Sequence, residues 1–251
     1  MLRSDFARAF SSEYGEQVSA ALLTQYRMAP SIGDLVSKTF YNGKLRNGER
    51  AIPEIYNQAP KVLQEVVTWL DTSSQGQRAH HLQGRGSSIF NRCEVEQIIS
   101  ILKQISDNSE FVTQLSELTN KDEAAIGVIC MYAEQKRLLR QRFNQEVWSE
   151  GFKNIVKIDT VDSYQGKENR VIILSLTRSD KNNTPGFLRA PNRINVAMSR
   201  AMDRLLIVGN ADMWRGVNKD LPLGAVIKYM TDMGQNSGYV FISAEQGGKK
   251  K

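Results

Sequence analysis

Three short, predominantly apolar runs limit the folds open to this sequence. They occupy residues 125–131, 171–177 and 205–208. A strand with one solvated face alternates apolar and polar residues, whereas a strand buried on both faces reads as a continuous apolar run. Segments with the apolar spacing of helices separate these runs, for example at residues 91–106 and 134–145. This order predicts an α/β fold with three layers, in which helices cover both faces of a doubly wound, mostly parallel sheet.

Shorter segments extend this prediction. Residues 62–70 and 155–158 contain β-prone side chains and predict two further strands. Residues 16–40 have helical spacing that is interrupted near Pro30, and residues 193–202 predict a helix opened by Pro191. Residues 71–88 are rich in Ser, Gln, Gly and Arg, which predicts either a flexible insertion or a surface loop.

The composition excludes several classes of protein. With 41% hydrophobic and 24% charged residues, the 251-residue chain has an ordinary globular balance. The net charge of +6 favours a polyanionic partner, although only slightly. Two cysteines and two adjacent histidines lack the spacing of metal ligands, so we expect no metal bound by this chain. No apolar run approaches the roughly 20 residues of a membrane span, and no signal peptide begins the sequence. We therefore expect a soluble, cytoplasmic protein with no membrane partner.

Polar residues near the ends of the predicted strands indicate a ligand site. Ligands of open parallel sheets bind outside the carboxyl ends of the strands. Residues 159–168 follow one predicted strand, Arg178 follows another, and residues 24–27 add a further polar segment. Arginine side chains match phosphate oxygens in geometry and charge. Convergence of these three segments predicts a polar cleft that binds phosphate.

The helix predicted at residues 193–202 carries two arginines. Arg193 and Arg200 are seven residues apart, so both are expected to project from one side of that helix. The alternative is that they are solvated or pair with acidic neighbours such as Asp203.

Three blocks of sequence resemble motifs IV, V and VI of superfamily 1 helicases, most closely those of the nonsense-mediated-decay branch. They are residues 25–30 with 40–43, residues 160–168 running into 171–175, and residues 192–201, and they occur in the family's order. The resemblance implies the second RecA-like domain of a helicase, a C-terminal domain of the P-loop NTPase class, over residues 21–215. Residues 1–20 would then lead in from a first motor domain, and residues 216–251 would form an extension whose last residues are disordered.

The same resemblance implies roles for individual side chains. Arg27 and Arg200 would be arginine fingers that reach the γ-phosphate of ATP, and Glu168 would accept hydrogen bonds from the ribose. Tyr26 would stack on the adenine, the alternative being simple core packing. The remaining nucleotide-binding positions would be Gln25, Gln165 and Gly166, and the nucleic-acid contacts would be Thr160 and Arg193.

Two helicase elements are missing from the printed sequence. It contains neither a Gly-x-x-x-x-Gly-Lys-Ser/Thr phosphate loop nor an Asp-Glu pair at a strand end that would hold magnesium. The resemblance therefore implies that a first RecA-like domain supplies both, that ATP binds with Mg²⁺ between the two domains, and that this chain alone hydrolyses no ATP. The expected partners are that domain and single-stranded DNA or RNA, with 5′-to-3′ movement taken from the resemblance alone. The alternatives are a non-catalytic module that binds nucleic acid or protein, and a degenerate remnant.

Overall fold

The structure is a computed structural model that describes residues 22–120, 123–164, 166–234 and 237–244. Its strands are β1 (Thr24–Gln25), β2 (Arg46–Asn47), β3 (Val67–Asp71), β4 (Leu82–Gln83), β5 (Ile89–Phe90), β6 (Ile126–Cys130), β7 (Val156–Thr160), β8 (Asn169–Ser175), β9 (Ala201–Gly209) and β10 (Tyr239–Ser243). Its α-helices are α1 (Pro30–Phe40), α2 (Arg92–Ser106), α3 (Ser109–Glu117), α4 (Ala133–Gln145), α5 (Pro191–Met198), α6 (Asp212–Arg215) and α7 (Pro222–Met233).

Six of these strands form one sheet in the order β10-β3-β9-β8-β6-β7. Every neighbouring pair in this sheet is parallel. Two small pairs lie apart from it: β1 with β2, which is parallel, and β4 with β5, which is an antiparallel hairpin. The predicted α/β class and the doubly wound parallel sheet are therefore confirmed.

Two hydrophobic cores, one on each face of the sheet, account for the continuous apolar runs. Ile172 and Leu174 of β8 belong to the core that contains α1, α5 and α7. Val171 and Ile173 belong to the opposite core, with α2, α3 and α4. All four side chains are fully buried. Because successive side chains of a strand point to opposite faces, a strand covered on both faces must be apolar throughout.

Some predicted boundaries were wrong. The helix expected at residues 193–202 ends at Met198, and β9 begins at Ala201 rather than at 205. The last turn tightens there, because the amide of Arg200 donates to the carbonyl of Ala197 at 3.4 Å. The carbonyl of Arg200 then accepts from the amide of Asn169 at 3.1 Å and starts the pairing of β9 with β8. The strand expected at residues 62–70 starts only at Val67, after a short 3₁₀ turn.

Residues beyond 215 contribute to the same sheet. Helix α7 packs in the hydrophobic core through Val226 and Met230, and β10 lies alongside β3 in parallel register. Residues 71–88, expected as an insertion or surface loop, contain a 3₁₀ segment and the β4–β5 hairpin. The predicted lead-in at residues 1–20 lies outside the described residues, as does the chain end beyond 244. Within the described ranges, no helix has the length and apolarity that crossing a bilayer requires.

Candidate functional site

Three of the predicted site residues lie together at the amino ends of β8 and β9. Glu168 directly precedes β8, and Arg200 directly precedes β9. The Arg27 side chain forms an ion pair with Glu168 through Nε, and its Nη1 donates to the carbonyl of Ser199 at 3.4 Å. The Arg27 and Glu168 side chains are 42% and 39% exposed, so both face solvent. We call Arg27, Glu168 and Arg200 the arginine cluster.

Arg200 is the member of the arginine cluster that lacks a full set of partners. Its Nε is buried, and no hydrogen-bond partner for it exists among the described residues. Burial lowers the pKa of Arg200, the positive charge of Arg27 lowers it further, and Glu168 opposes both effects. One carboxylate thus stands beside two guanidinium groups, so the cluster retains positive charge and an unused donor. Such an arrangement suits an anionic ligand.

Arg50 positions the arginine cluster and was not predicted. Its guanidinium donates to the carbonyls of Arg27 and Met202 and to the carboxylate of Asp203. Asp203 is fully buried and also accepts a hydrogen bond from the hydroxyl of Tyr56 at 3.0 Å. Arg50 therefore links the segment that carries Arg27 to the start of β9. No sequence pattern marks it, because its partners are main-chain carbonyls and a carboxylate 153 residues away.

Tyr26 and Gln25 occupy the turn that precedes Arg27. Tyr26 is 69% exposed, which excludes the core-packing alternative. Its ring lies against Gly48, where an added Cβ atom would come within 2.1 Å of it. The amide of Gln25 accepts from the Met28 nitrogen at 2.7 Å and donates to Asn47 at 2.7 Å. The contacts of Gln25 thus stabilise the turn, whereas the ring of Tyr26 remains accessible.

A cavity of about 460 Å³ adjoins the arginine cluster. Its lining includes Glu168, Gly166, Lys157 and Lys167. Gly166 has a φ of +79°, a conformation that glycine adopts without strain, and an added Cβ would meet no atom within 4 Å. Gln165, also predicted to line the nucleotide site, lies outside the described residues.

Thr160 and Arg193 lie at the opposite edge of the sheet. Thr160 ends β7, and its hydroxyl donates to Ser163 at 3.1 Å. Arg193, in the first turn of α5, donates to both carboxylate oxygens of Asp162, at 3.0 and 3.2 Å. Its guanidinium lies 4.9 Å from the centroid of the Phe187 ring. These residues form a second polar surface, which we call the carboxyl-edge surface.

The prediction of one cleft at the carboxyl ends of the strands was therefore wrong. After β7 the chain returns to the amino edge before β8 begins, which carries Glu168 away from Thr160. The expectation that Arg193 and Arg200 share one side of a helix was also wrong, because α5 ends at Met198. The alternative pairing of Arg200 with Asp203 is not observed in the described part of the chain, where Asp203 pairs with Arg50 and Arg170.

The basic helix α4 has its charges largely neutralised. Arg137 pairs with Glu134, Arg142 pairs with Glu146, and Lys136 and Arg140 both approach Asp159. These pairs are those of a solvated helix face. Among the described residues, no group of three or more His, Cys, Asp or Glu side chains is arranged to hold a metal ion.

Comparison with known proteins identifies the family. A family model described as an AAA domain matches residues 1–212. Probable helicase MAGATAMA 3 of Arabidopsis thaliana is 33% identical over 190 residues, which cover 76% of this chain and 22% of that protein. Helicase sen1 of Schizosaccharomyces pombe is 30% identical over 208 residues, covering 79% of this chain and 11% of the relative. A regulator of nonsense transcripts 1 homolog of Neurospora crassa is 31% identical over 194 residues, covering 75% of this chain and 16% of that protein.

These relatives are much longer than the matched region, since the chain spans between 11% and 22% of their length. Among solved structures, the C-terminal domain of a possible DNA helicase from Lactobacillus plantarum WCFS1 aligns with a TM-score of 0.40 and 14% identity, covering 86% of this chain and 98% of that one. A likeness of that strength carries no argument. The family match over residues 1–212 and the order of the three motifs show that the chain belongs to the AAA domain family of superfamily 1 helicases, and both agree with a second RecA-like domain.

Proposed function

We propose that this chain is the C-terminal motor domain of an ATP-dependent nucleic-acid helicase or translocase. In this proposal a phosphate-loop domain binds ATP with Mg²⁺, and the present chain closes the site from the other side. The observation that carries the proposal is the arginine cluster, in which the buried Nε of Arg200 has no described partner and Arg27 is held beside it.

The arginine cluster matches the chemistry of phosphoryl transfer. Negative charge is spread over the equatorial oxygens of the transferred phosphoryl group, and guanidinium groups fixed across a cleft stabilise that charge. Arg27 and Arg200 would reach the γ-phosphate. Glu168 would then exchange part of its contact with Arg27 for the ribose hydroxyls, and the exposed ring of Tyr26 would stack on the adenine.

The carboxyl-edge surface would contact the backbone of a single strand through Thr160 and Arg193. Phosphate contacts of this kind position a strand without reading its sequence. Nucleotide and strand would then bind at opposite ends of the parallel sheet. Movement is proposed to run from 5′ to 3′, as in the family that the motifs resemble.

ATP turnover by a reconstituted pair of domains tests this proposal. We would measure ATPase activity of the chain with single-stranded DNA and with RNA, alone and after adding a separately expressed phosphate-loop domain of the same family. We expect no turnover alone, turnover on mixing, and a loss of at least about 100-fold with Arg200→Ala, because an arginine finger contributes roughly 10³–10⁵ in rate. Arg85→Ala, in the exposed loop of the β4–β5 hairpin, is the matched control and should retain full activity.

Two outcomes would contradict the proposal. Robust turnover by the chain alone that disappears with Arg200→Ala would place a complete ATP site within this chain. If mixing the two domains gives no ATP turnover while the chain still binds single strands tightly, the non-catalytic binding module is favoured.

A further inference from the structure

Two lysines face each other on the wall of the 460 Å³ cavity described above. We call this cavity the lysine cavity; its lining consists of Glu123, Ala124, Lys157, Gly166, Lys167, Glu168 and Asn169. Lys157 and Lys167 both line this cavity, and Lys167 lowers the pKa of Lys157, as a nearby like charge does. Glu168 is the only residue that the lysine cavity shares with the arginine cluster. The lysine cavity therefore borders the proposed nucleotide site and shares Gly166 and Glu168 with it.

The inner wall of the lysine cavity is rigid. Tyr164 is fully buried and donates its hydroxyl hydrogen to Asn169 at 2.7 Å. The side-chain nitrogen of Asn169 donates in turn to the carbonyl of Ala124. The ammonium of Lys157 lies 5.6 Å from the centroid of the Tyr164 ring, a cation–π distance. Packing thus fixes the wall from which Lys157 extends.

Within the described residues neither lysine forms an ion pair, although Glu123 and Glu168 also line the cavity and Asp159 partly offsets the charge of Lys157. Neither Lys157 nor Lys167 has a described carboxylate within 4.0 Å. The neighbouring Lys167 lowers the pKa of Lys157, and burial lowers it further. Glu168, which could offset this charge, is already paired with Arg27. Two like charges in a concave surface repel each other until an anion lies between them.

A second cavity continues from the first. It has a volume of about 530 Å³ and shares Glu123, Ala124 and Lys157 with the lysine cavity. Lys153 adds positive charge along it, beside the outer edge of β7, whereas Arg140 is paired with Asp159. With volumes of about 530 and 460 Å³ and three shared lining residues, the two neighbouring cavities offer space for a ligand that is larger than a single ion.

We propose that the lysine cavity binds a phosphate group, with Lys157 and Lys167 contacting its oxygens from two sides. A phosphate monoester carries nearly two negative charges near pH 7 and so matches two ammonium groups, whereas a carboxylate carries only one. Lysine is a common point-charge ligand of phosphate. The phosphate belongs either to a nucleotide at the adjacent cluster or to a nucleic-acid strand in the two neighbouring cavities. The nucleotide alternative rests on the proposed function, whereas phosphate binding by the two lysines does not require ATP turnover.

Binding of inorganic pyrophosphate tests the site without relying on ATP turnover. Titration calorimetry would use the whole chain with Arg27→Ala and Arg200→Ala, which removes the arginine cluster as a competing anion site. Adding Lys157→Gln and Lys167→Gln should weaken pyrophosphate binding at least tenfold. Lys44→Gln, an exposed lysine in the turn after α1, is the matched control and should leave binding unchanged.

Competition identifies the source of the phosphate. Displacement of pyrophosphate by ATP assigns the site to a nucleotide, and displacement by a single-stranded oligonucleotide assigns it to a strand. If neither ATP nor the oligonucleotide displaces pyrophosphate, the site binds free phosphate anions. Absence of pyrophosphate binding, or binding that the two lysine substitutions leave unchanged, overturns the inference. If the two mixed domains show no ATPase activity but the chain still binds pyrophosphate, the proposed function is refuted, whereas phosphate binding at the lysine cavity is supported.

Discussion

Substitution of Gly127 by alanine tests the packing beneath the proposed nucleotide site. Gly127 lies in β6, and a Cβ added there would come within 2.3 Å of the Tyr164 hydroxyl, 2.6 Å of Asn169 Oδ1 and 2.7 Å of Ile172 Cδ1. Ile172 can rotate its terminal methyl, but Tyr164 and Asn169 are buried and hydrogen-bonded to each other. The wall must therefore shift. Overpacking of this kind costs about 2 kcal/mol of unfolding free energy, which lowers Tm by roughly 4–8 °C in a domain of this size.

A double-mutant cycle shows whether the Tyr164 hydroxyl is the source of that cost. Tyr164→Phe alone removes one hydrogen bond and leaves the Asn169 oxygen without this donor, at a cost of about 1–2 kcal/mol. Because phenylalanine also removes the atom closest to the new methyl group, the double variant should be less destabilised than the sum of the single variants. We expect a favourable coupling of about 1 kcal/mol, measured by urea unfolding of all four proteins.

The matched control uses a tyrosine that does not face β6. Tyr41 is exposed, and its hydroxyl accepts from Asn195 at 3.0 Å. Tyr41→Phe combined with Gly127→Ala should give additive free energies, within about 0.5 kcal/mol. Additivity in the Tyr164 cycle as well, or a Gly127→Ala variant as stable as the parent, would refute the packing argument.

Three further predictions concern a buried arginine, a buried acid and an exposed ring. Arg50→Ala should cost about 3 kcal/mol in urea unfolding, because it removes one cationic partner of the fully buried Asp203. Burial raises the pKa of Glu94 to about 8. Its contribution to stability is thus complete below pH 4.5, the ordinary pKa of a glutamate, which applies in the unfolded chain. The contribution then decreases by about 1.4 kcal/mol per pH unit until the pH passes 8. Glu94→Gln should flatten the dependence of Tm on pH in thermal unfolding. If the variant and the parent show the same slope of Tm against pH, the prediction is wrong. Tyr26→Ala should change stability by less than about 0.5 kcal/mol, because the ring is 69% exposed; a larger loss would mean that the ring supports the fold.

The central strands could be predicted because burial on both faces leaves a clear pattern. Residues 171–174 are apolar without interruption, and β8 occupies residues 169–175. The edge strand β10 was missed, although residues 239–242 form an apolar run as long as the one at 205–208. The boundary at Ser199 was also missed. A helix that tightens for one turn and enters a strand directly contains no proline or glycine to mark its end.

The candidate site was predictable only in part. Arg27, Glu168 and Arg200 were selected by their resemblance to helicase motifs, and the structure brings them together. The expectation that ligands bind at the carboxyl ends of parallel strands placed these residues at the wrong edge of the sheet. That expectation concerns residues in loops that directly follow a strand. Glu168 and Arg200 instead precede theirs. Lys157 and Lys167 were not selected, since a lysine in a strand and a lysine ten residues later share no periodicity.

Helix α5 connects the two candidate surfaces. Arg193 lies in its first turn at the carboxyl edge, and Arg200 follows its end at the amino edge. Eight residues of α-helix span about 12 Å, and Ile194, Ala197 and Met198 bury this helix against the sheet. Such a packed helix moves as a unit, because its core side chains have no free volume in which to shift separately. A ligand that displaces Arg193 from Asp162 therefore acts on the first turn of α5. The last turn of the same helix positions Arg200.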